Sequence, residues 1–450
     1  MATAIHLNKY LGHSFFCSCG KVHETNLAKV DVSAGAVKRL PEYLAEFAAK
    51  KVFMVADVNT DQAAGRYAEA VLKEAGVVFE KYVFPDKELI PDEFAVGRVM
   101  QAAPKDADMI LAVGSGTLND LCKFVSFQLG LPYMIFASAP SMDGFVSVGA
   151  ALITDHVKTT YDAHVPVAVI GDTDILKEAP MEMITAGLGD ILGKYTCLVD
   201  WKMAHLIEGE YYCEQVAEMV RDSLKVCVEE SQKIKNRDPE AVKAVMEALL
   251  LTGIGMSFVG NSRPASGSEH HLSHYWEMQF QMEGKKPILH GTKVGIGMLT
   301  SVGMYHKLLQ EKIDFDACKN ISFDYDRFEK KVRDCYKEAA DGILRLEEQC
   351  KKNSIEGRNA RLDVMKEKWD QVCAVIESEI PDLRKMEQLM NDLGSPINPA
   401  QIGVSKELVR DGIILAKEVR NRYTILQMLW DLGLLENYAE DMAAYFEKNQ

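Results

Sequence analysis

Three histidines, His270, His271 and His274, fall within the stretch RPASGSEHHLSHYWE, directly behind a run of small residues. Residues four apart on a helix share a face, so this spacing puts His270 and His274 on one side and turns His271 about a quarter turn away. The preceding ASGS supplies small residues and capping hydroxyls, which places the pair in the first turns of a helix. Two imidazoles do not complete a divalent-metal site that keeps one position open; a third protein ligand is expected. The stretch LHGTKVGIG offers His290 before a glycine-rich helix start, and AGLGDILGKYT offers Asp190 beside glycines that permit close approach. Taken singly, each residue has a plainer account as a packed histidine, a loop histidine or a helix cap. Together, a carboxylate and imidazoles at helix starts suit zinc, nickel or ferrous iron, and residue types alone do not choose among them.

A second stretch, LAVGSGTLNDLCKF, sets Gly114, Ser115, Gly116, Thr117 and Leu118 between an apolar strand and a helix. Glycines there let the backbone approach a ligand, and the exposed N–H groups of a helix start favour an anion. The pattern is neither GxGxxG nor a Walker A sequence, so a tight strand-to-helix turn explains it almost as well. Asp57 ends the first strong strand, KVFMVADV. A carboxylate there can accept hydrogen bonds from an adenosine ribose, or it can cap the following helix.

These residues need elements to hold them. Residues 51–58 form a valine-rich run, TDQAAGRYAEAVLKEAG an amphipathic helix, and VVFEKYVFP another strand; ADMILAVGSG and LPYMIFASAP continue the alternation. Strand alternating with helix predicts a parallel sheet wrapped by helices, a Rossmann-like α/β domain. From about Asp174 onward long 3.6-period segments dominate. The expected organisation is a leader over 1–28, a dinucleotide-binding α/β domain over 29–170 and an all-helical metal and substrate domain over 171–450, with the active site in the cleft between them. The charged segment from Glu311 to about Pro381 is expected to be solvated helices.

The chain has 450 residues, too many for one compact core, with 48% apolar and 26% charged residues. Lysine and arginine number 51 against 66 acidic residues, a net charge of −15, which argues against general nucleic-acid binding. The first residues, MATAIHLNKY, lack a secretory pattern, and no apolar run is expected to reach the roughly 18 residues that span a bilayer. Ten scattered cysteines point to reduced thiols in a cytoplasm.

The motifs AVGSGTLND, SAPSMDGFVSVGA, AGLGDILGK, RPASGSEHHLSHYWEM and ILHGTKVGIG, in that order, resemble the sn-glycerol-1-phosphate dehydrogenases. This family lies within the superfamily of iron-dependent alcohol dehydrogenases, glycerol dehydrogenase and dehydroquinate synthase. The resemblance is nearest the bacterial branch and runs from about Val30 to Leu435. It implies hydride transfer between NAD or NADP and dihydroxyacetone phosphate or glycerol 1-phosphate, one divalent ion of zinc, nickel or iron, and a homodimer. It also implies that Asp190, His270 and His290 hold the metal, while His274 and Asp143 contact substrate. Residues 114 to 118, with Ser138, Ala139, Pro140 and Ser141, are similar to the dinucleotide-binding segments; Ser147 resembles a nicotinamide-side contact and Asp57 the adenosine-ribose contact. His271 matches neither role. Arg263, Lys158 and Lys293 are candidates for the substrate phosphate. The alternatives within the superfamily are a glycerol or other alcohol dehydrogenase, or a dehydroquinate synthase-like lyase.

The leader stretch FFCSCGKVH, with Cys17, Cys19 and His23, lies outside this pattern. It is expected to be a tail or an element packed against the sheet, with a structural metal as the lesser alternative, because a full set of four zinc ligands is not present at standard spacing.

Overall fold

The computed structural model describes residues 5, 7–154 and 157–449, and the side chains of 157 and 158 lie outside that description. Among the described residues ten strands follow in chain order: β1 (Phe15–Phe16), β2 (Val22–His23), β3 (Lys29–Ser33), β4 (Lys51–Asp57), β5 (Val78–Phe84), β6 (Met109–Gly114), β7 (Tyr133–Ala137), β8 (Gly149–Thr154), β9 (Val157–Asp162) and β10 (Ala168–Asp172). Six of them form one sheet in the order β3-β10-β7-β6-β4-β5, and every pairing in it is parallel. The central runs MILAVG, YMIFA and AVIGD are buried at every position. A parallel sheet covered on both faces demands continuous apolar strands of this kind. The four strands expected over 51–137 stand as read. The edge and return strands β3 and β10, each five residues long, were not anticipated.

The strand order reverses at β4, which pairs with β5 on one side and with β6 on the other. In open α/β sheets the crevice beyond the carboxyl ends of the strands at such a reversal is where ligands bind. Asp57 and Gly114, at the ends of β4 and β6, sit at this point.

The chain packs as two compact units, residues 1–191 with 214–264, and residues 192–213 with 265–450. This differs from the boundary expected near residue 170. The helices Glu214–Ile234 and Pro239–Val259 look like the start of the helical domain, yet they join the first unit. The physical reason is visible at Gly253, where an added Cβ would lie 2.9 Å from Val146 Cβ and 3.2 Å from the Asp143 carbonyl. Helix Pro239–Val259 thus packs directly on the Gly144–Val146 turn. Its 21 residues have a mean hydropathy of 1.6 in their most apolar window, 83% of which is buried. One helix therefore does reach the length and apolarity that no run was expected to reach, and the structure uses it as a core element.

The second unit is helical, including Lys194–Glu208, Ser268–Met282, His290–Leu308 and Ile355–Glu379. The charged segment folds as the helices Phe315–Cys318, Tyr325–Tyr336, Ala340–Cys350 and Ile355–Glu379, as expected. Within its core, Arg361 pairs with Asp431 through two hydrogen bonds of 2.8 and 2.6 Å, and Asp431 is fully buried.

Candidate active site

The carboxyl edge of the sheet gathers the predicted nucleotide residues. Asp57 Oδ1 accepts hydrogen bonds from the N–H groups of Asn59 and Thr60, both at 2.8 Å, and completes a capping box with Thr60. The capping account of Asp57 is therefore realised, and both bonds end on one of its two oxygens. Beyond β6, helix Gly116–Leu129 begins without a side-chain cap. Its first N–H groups thus meet no capping oxygen from Ser115, whose hydroxyl instead lies 2.5 Å from that of Ser141 and donates to the Ala139 carbonyl at 3.2 Å. These contacts tie residues 114–118 to Ser138–Ser141, the two segments expected to serve one ligand. Gly114 is fixed by its neighbour, since a Cβ there would lie 2.6 Å from Leu118 Cδ1.

A residue that the sequence did not flag organises the next loop. Lys123 is fully buried, and its ammonium donates to the Gly144 carbonyl at 2.7 Å, the Ser147 hydroxyl at 2.9 Å and the Gly149 carbonyl at 3.2 Å. Burial lowers its pKa, against the pull of Asp120 and Asp143. Ser147, expected at the nicotinamide side, turns its hydroxyl into this cluster and also donates to the Gly149 carbonyl at 2.8 Å. A lysine in a polar helical stretch ordinarily reads as solvated, so only the fold shows it to be internal.

Asp190 was expected at a helix start but lies in the last turn of helix Met181–Leu192, because the apolar stretch before it is itself helical. That helix meets the loop after β7 at Gly187, where an added Cβ would lie 1.9 Å from the Pro140 carbonyl oxygen. No other residue fits this close approach, which lets the fully buried Asp190 Oδ2 accept a 2.9 Å hydrogen bond from the Asp143 N–H. Of the glycines near Asp190, Gly187 thus permits the close approach that its position suggested.

In the second unit, helix Ser268–Met282 carries the histidine cluster as predicted. Its start is held by Asp200, whose Oδ2 accepts from the Ser268 N–H at 2.6 Å while Oδ1 accepts from Tyr305 at 2.6 Å and from the Ile425 N–H at 2.7 Å. Burial, with Glu269 nearby, pushes the Asp200 carboxyl up to about 6. Gly267 leaves room for this arrangement; a Cβ there would lie 2.5 Å from Asp200 Oδ2. The neighbouring helix His290–Leu308 approaches at Gly297, where a Cβ would lie 2.5 Å from the Glu269 carbonyl.

This close pairing of helices assembles the rings. The centroids of His270 and His290 are 5.1 Å apart, and His274 lies 6.1 Å from the first and 5.8 Å from the second. Ligand atoms of Asp190, His270 and His290 all fall within 4.8 Å of one another. His271 is fully buried, and its ring takes no part in that group.

Glu269, a residue without an assigned role in the sequence reading, orients the cluster. Its Oε1 lies 2.7 Å from His270 Nδ1 and accepts from the Gly267 N–H at 2.7 Å, and its Oε2 accepts from Thr196 at 2.6 Å. Burial alone would raise the Glu269 carboxyl, but the hydrogen bonds from His270, Thr196 and Gly267 outweigh it and hold it below its ordinary value. With Nδ1 engaged, the other ring nitrogen of His270 is the one suited to a metal.

Glu277 is the second unforeseen carboxylate. It lies 3.6 Å from His274 Nδ1 and 3.1 Å from Lys293 Nζ. Of the three phosphate candidates, Lys293 is buried in this pair and Arg263 is 1% exposed, while the Lys158 side chain is outside the described residues.

Comparison with known proteins agrees with this arrangement. Residues 31–180 match the family described as iron-containing alcohol dehydrogenase. Glycerol-1-phosphate dehydrogenase [NAD(P)+] of Halalkalibacterium halodurans is 33% identical over 417 residues, 92% of this chain and 95% of that protein. The protein of the same name from Geobacillus thermodenitrificans is 34% identical over 92% of this chain and 95% of its own length. Among solved structures, a probable glycerol dehydrogenase from Sinorhizobium meliloti superposes with a TM-score of 0.60 at 17% identity, covering 93% of this chain and 98% of that one. Glycerol dehydrogenase from Schizosaccharomyces pombe gives 0.59 at 16% identity, covering 93% and 91%. The sheet and helical units are thus shared with those folds, and by its sequence the chain belongs to the glycerol-1-phosphate dehydrogenase family.

Proposed function

We propose that this chain transfers a hydride, reversibly, between NADH or NADPH and dihydroxyacetone phosphate, giving sn-glycerol 1-phosphate. The observation that carries this reading is the convergence of one carboxylate and two imidazoles, Asp190, His270 and His290, within 4.8 Å. Such a donor set, without sulfur, suits zinc, nickel or ferrous iron, and three protein ligands leave a position for a substrate oxygen. The names of the full-length relatives support a phosphorylated substrate and a nicotinamide cofactor.

When bound, the divalent ion supplies Lewis-acid polarisation of the oxygen at C2, and the nicotinamide supplies or accepts the hydride. The chain does the rest. Asp190 contributes the carboxylate, held by the Asp143 N–H, and Glu269 keeps His270 in one tautomer. Asp143 and His274 orient the substrate hydroxyls. With its Nδ1–H toward Glu277, His274 leaves its other ring nitrogen to take the proton from the substrate hydroxyl on oxidation and to return it on reduction. The helix start at 116–118 receives the dinucleotide pyrophosphate, and the Asp57 oxygen outside the cap accepts from the adenosine ribose.

We also place the chain in a cytoplasm as a homodimer. Cys122, Cys227, Cys318, Cys335, Cys350 and Cys373 stand as reduced thiols, which supports a reducing compartment; the dimer rests on the family resemblance and is checked by sedimentation.

A metal-reconstituted assay tests the substrate. Dihydroxyacetone phosphate should drive NADH or NADPH oxidation and yield the 1-phosphate enantiomer. Turnover of unphosphorylated glycerol with none of dihydroxyacetone phosphate would replace this reading with a glycerol dehydrogenase.

A further inference from the structure

The leader motif that the dehydrogenase function leaves unused is completed by a residue from far along the chain. The hairpin β1–β2 is closed by a tight turn in which the Cys17 N–H donates to the Lys21 carbonyl at 2.9 Å and the Gly20 N–H donates to the Cys17 carbonyl at 3.0 Å. Gly20 has φ +85°, a conformation that favours glycine at this turn. The turn brings Cys19 and His23 together, with Cys19 Sγ 3.4 Å from His23 Nε2. Cys213 supplies the fourth donor, and ligand atoms of Cys17, Cys19, His23 and Cys213 all lie within 4.8 Å of one another. Cys213 is joined by one peptide bond to Glu214, which opens the helix Glu214–Ile234.

We propose that Cys17, Cys19, His23 and Cys213 hold a structural zinc ion, with no ligand shared with the Asp190, His270 and His290 group. Three thiolates and an imidazole make a complete tetrahedral set, and such soft donors select zinc over magnesium, calcium or manganese. Bonds of about 2.3 Å to sulfur and about 2.0 Å to nitrogen would bring the donor atoms to roughly 3.5–3.8 Å apart, so only a small contraction is needed.

Three details of the surroundings fit a metal site better than a chance meeting of thiols. His23 Nδ1 lies 3.0 Å from the Phe258 carbonyl oxygen, which fixes the tautomer that leaves Nε2 as the donor atom. The Cys19 N–H points at Cys17 Sγ at 3.5 Å, a bond that stabilises a thiolate at that sulfur. The Cys17 thiol donates to Gln215 Oε1 at 3.0 Å, and a half-turn of that amide would present its N–H to the thiolate instead. Cys17, His23 and Cys213 are all buried, and His23 stacks on Phe258 with ring centroids 5.2 Å apart. The ion would thus clasp the leader hairpin to the helices beginning at Glu214 and ending at Val259.

Cobalt substitution reads this site directly, because only a thiolate-bearing site gives intense sulfur-to-cobalt charge-transfer absorption. The full chain, purified reduced and stripped with a chelator, is titrated with Co(II). The expected result is charge-transfer and tetrahedral d–d bands saturating at one ion per chain and bleached by one equivalent of zinc. The bands should persist in His290→Ala and in the control Cys373→Ser, and be lost in Cys19→Ser and Cys213→Ser. Their absence from the wild-type chain, or their survival in both ligand variants, would overturn the proposal. Should those variants fail to fold, mercurial titration of the zinc-loaded wild type decides: release of one zinc per chain as the thiols are modified supports the site, and no release refutes it.

Discussion

His270 Nδ1 lies 2.7 Å from Glu269 Oε1, and Glu269 is itself fully buried between Thr196 and the Gly267 N–H. A histidine is thereby locked by its own sequence neighbour into the tautomer and orientation that a metal requires. Glu269→Gln keeps the shape but removes the charge and the strong acceptor. Metal affinity should fall about 10–100-fold, the usual effect of losing such a supporting partner. Competition against a metallochromic indicator measures this, and an unchanged affinity would show that Glu269 serves only to pack.

Gly187 has no room for a side chain, because a Cβ would sit 1.9 Å from the Pro140 carbonyl. Gly187→Ala must therefore push helix Met181–Leu192 off the loop that carries Asp143. We expect about 1–3 kcal/mol of destabilisation. A loss of activity larger than tenfold should accompany it, since a displacement of 1 Å in a positioned group costs about 100-fold. Denaturant unfolding and steady-state kinetics on one preparation separate the two effects. Full activity in a stably folded variant would contradict the positioning role.

Lys123 joins the Gly144 carbonyl, the Ser147 hydroxyl and the Gly149 carbonyl from beneath. Lys123→Met fills the volume and strands those acceptors, which should cost about 1–3 kcal/mol. If the loop serves the cofactor, the KM for NADH should rise while metal affinity stays the same. Equal loss of both would assign Lys123 to general stability.

Glu247, in helix Pro239–Val259, is pushed up to about 7 by burial, with Glu240 nearby and Lys243 acting in the opposite direction. Its folded pKa lies above its unfolded value. The unfolded chain loses this proton first as pH rises, and stability should fall between about 4.5 and 7. Glu247→Gln removes the penalty, so its gain over the wild type should be near zero at pH 4 and reach about 1–3 kcal/mol at pH 8. Unfolding curves at the two pH values test the sign. A gain that shrinks with pH would refute it.

Much of the site was legible because short-range chemistry announced it. Asp190 and His290 were found through neighbouring glycines, two of which prove to be contact points: Gly187 against Pro140, and Gly297 against the Glu269 carbonyl. The sheet was legible because fully buried parallel strands read as unbroken apolar runs. What escaped notice depends on distant partners. Glu269 matters through Thr196, Glu277 through Lys293, and Cys213 through a hairpin far earlier in the chain. The unit boundary escaped for a related reason. An apolar helix such as Pro239–Val259 carries no mark in its sequence of which core it will join.

The central claim is that Asp190, His270 and His290 hold the ion on which hydride transfer depends. The most direct measurement is metal rescue of chelator-stripped wild type and His290→Ala, followed by dihydroxyacetone phosphate-dependent loss of NADH absorbance. The account predicts that zinc, nickel or ferrous iron restores the wild type and that none of them, at any concentration, restores a folded His290→Ala chain. Full rescue of that variant at the metal concentration that restores the wild type would contradict it.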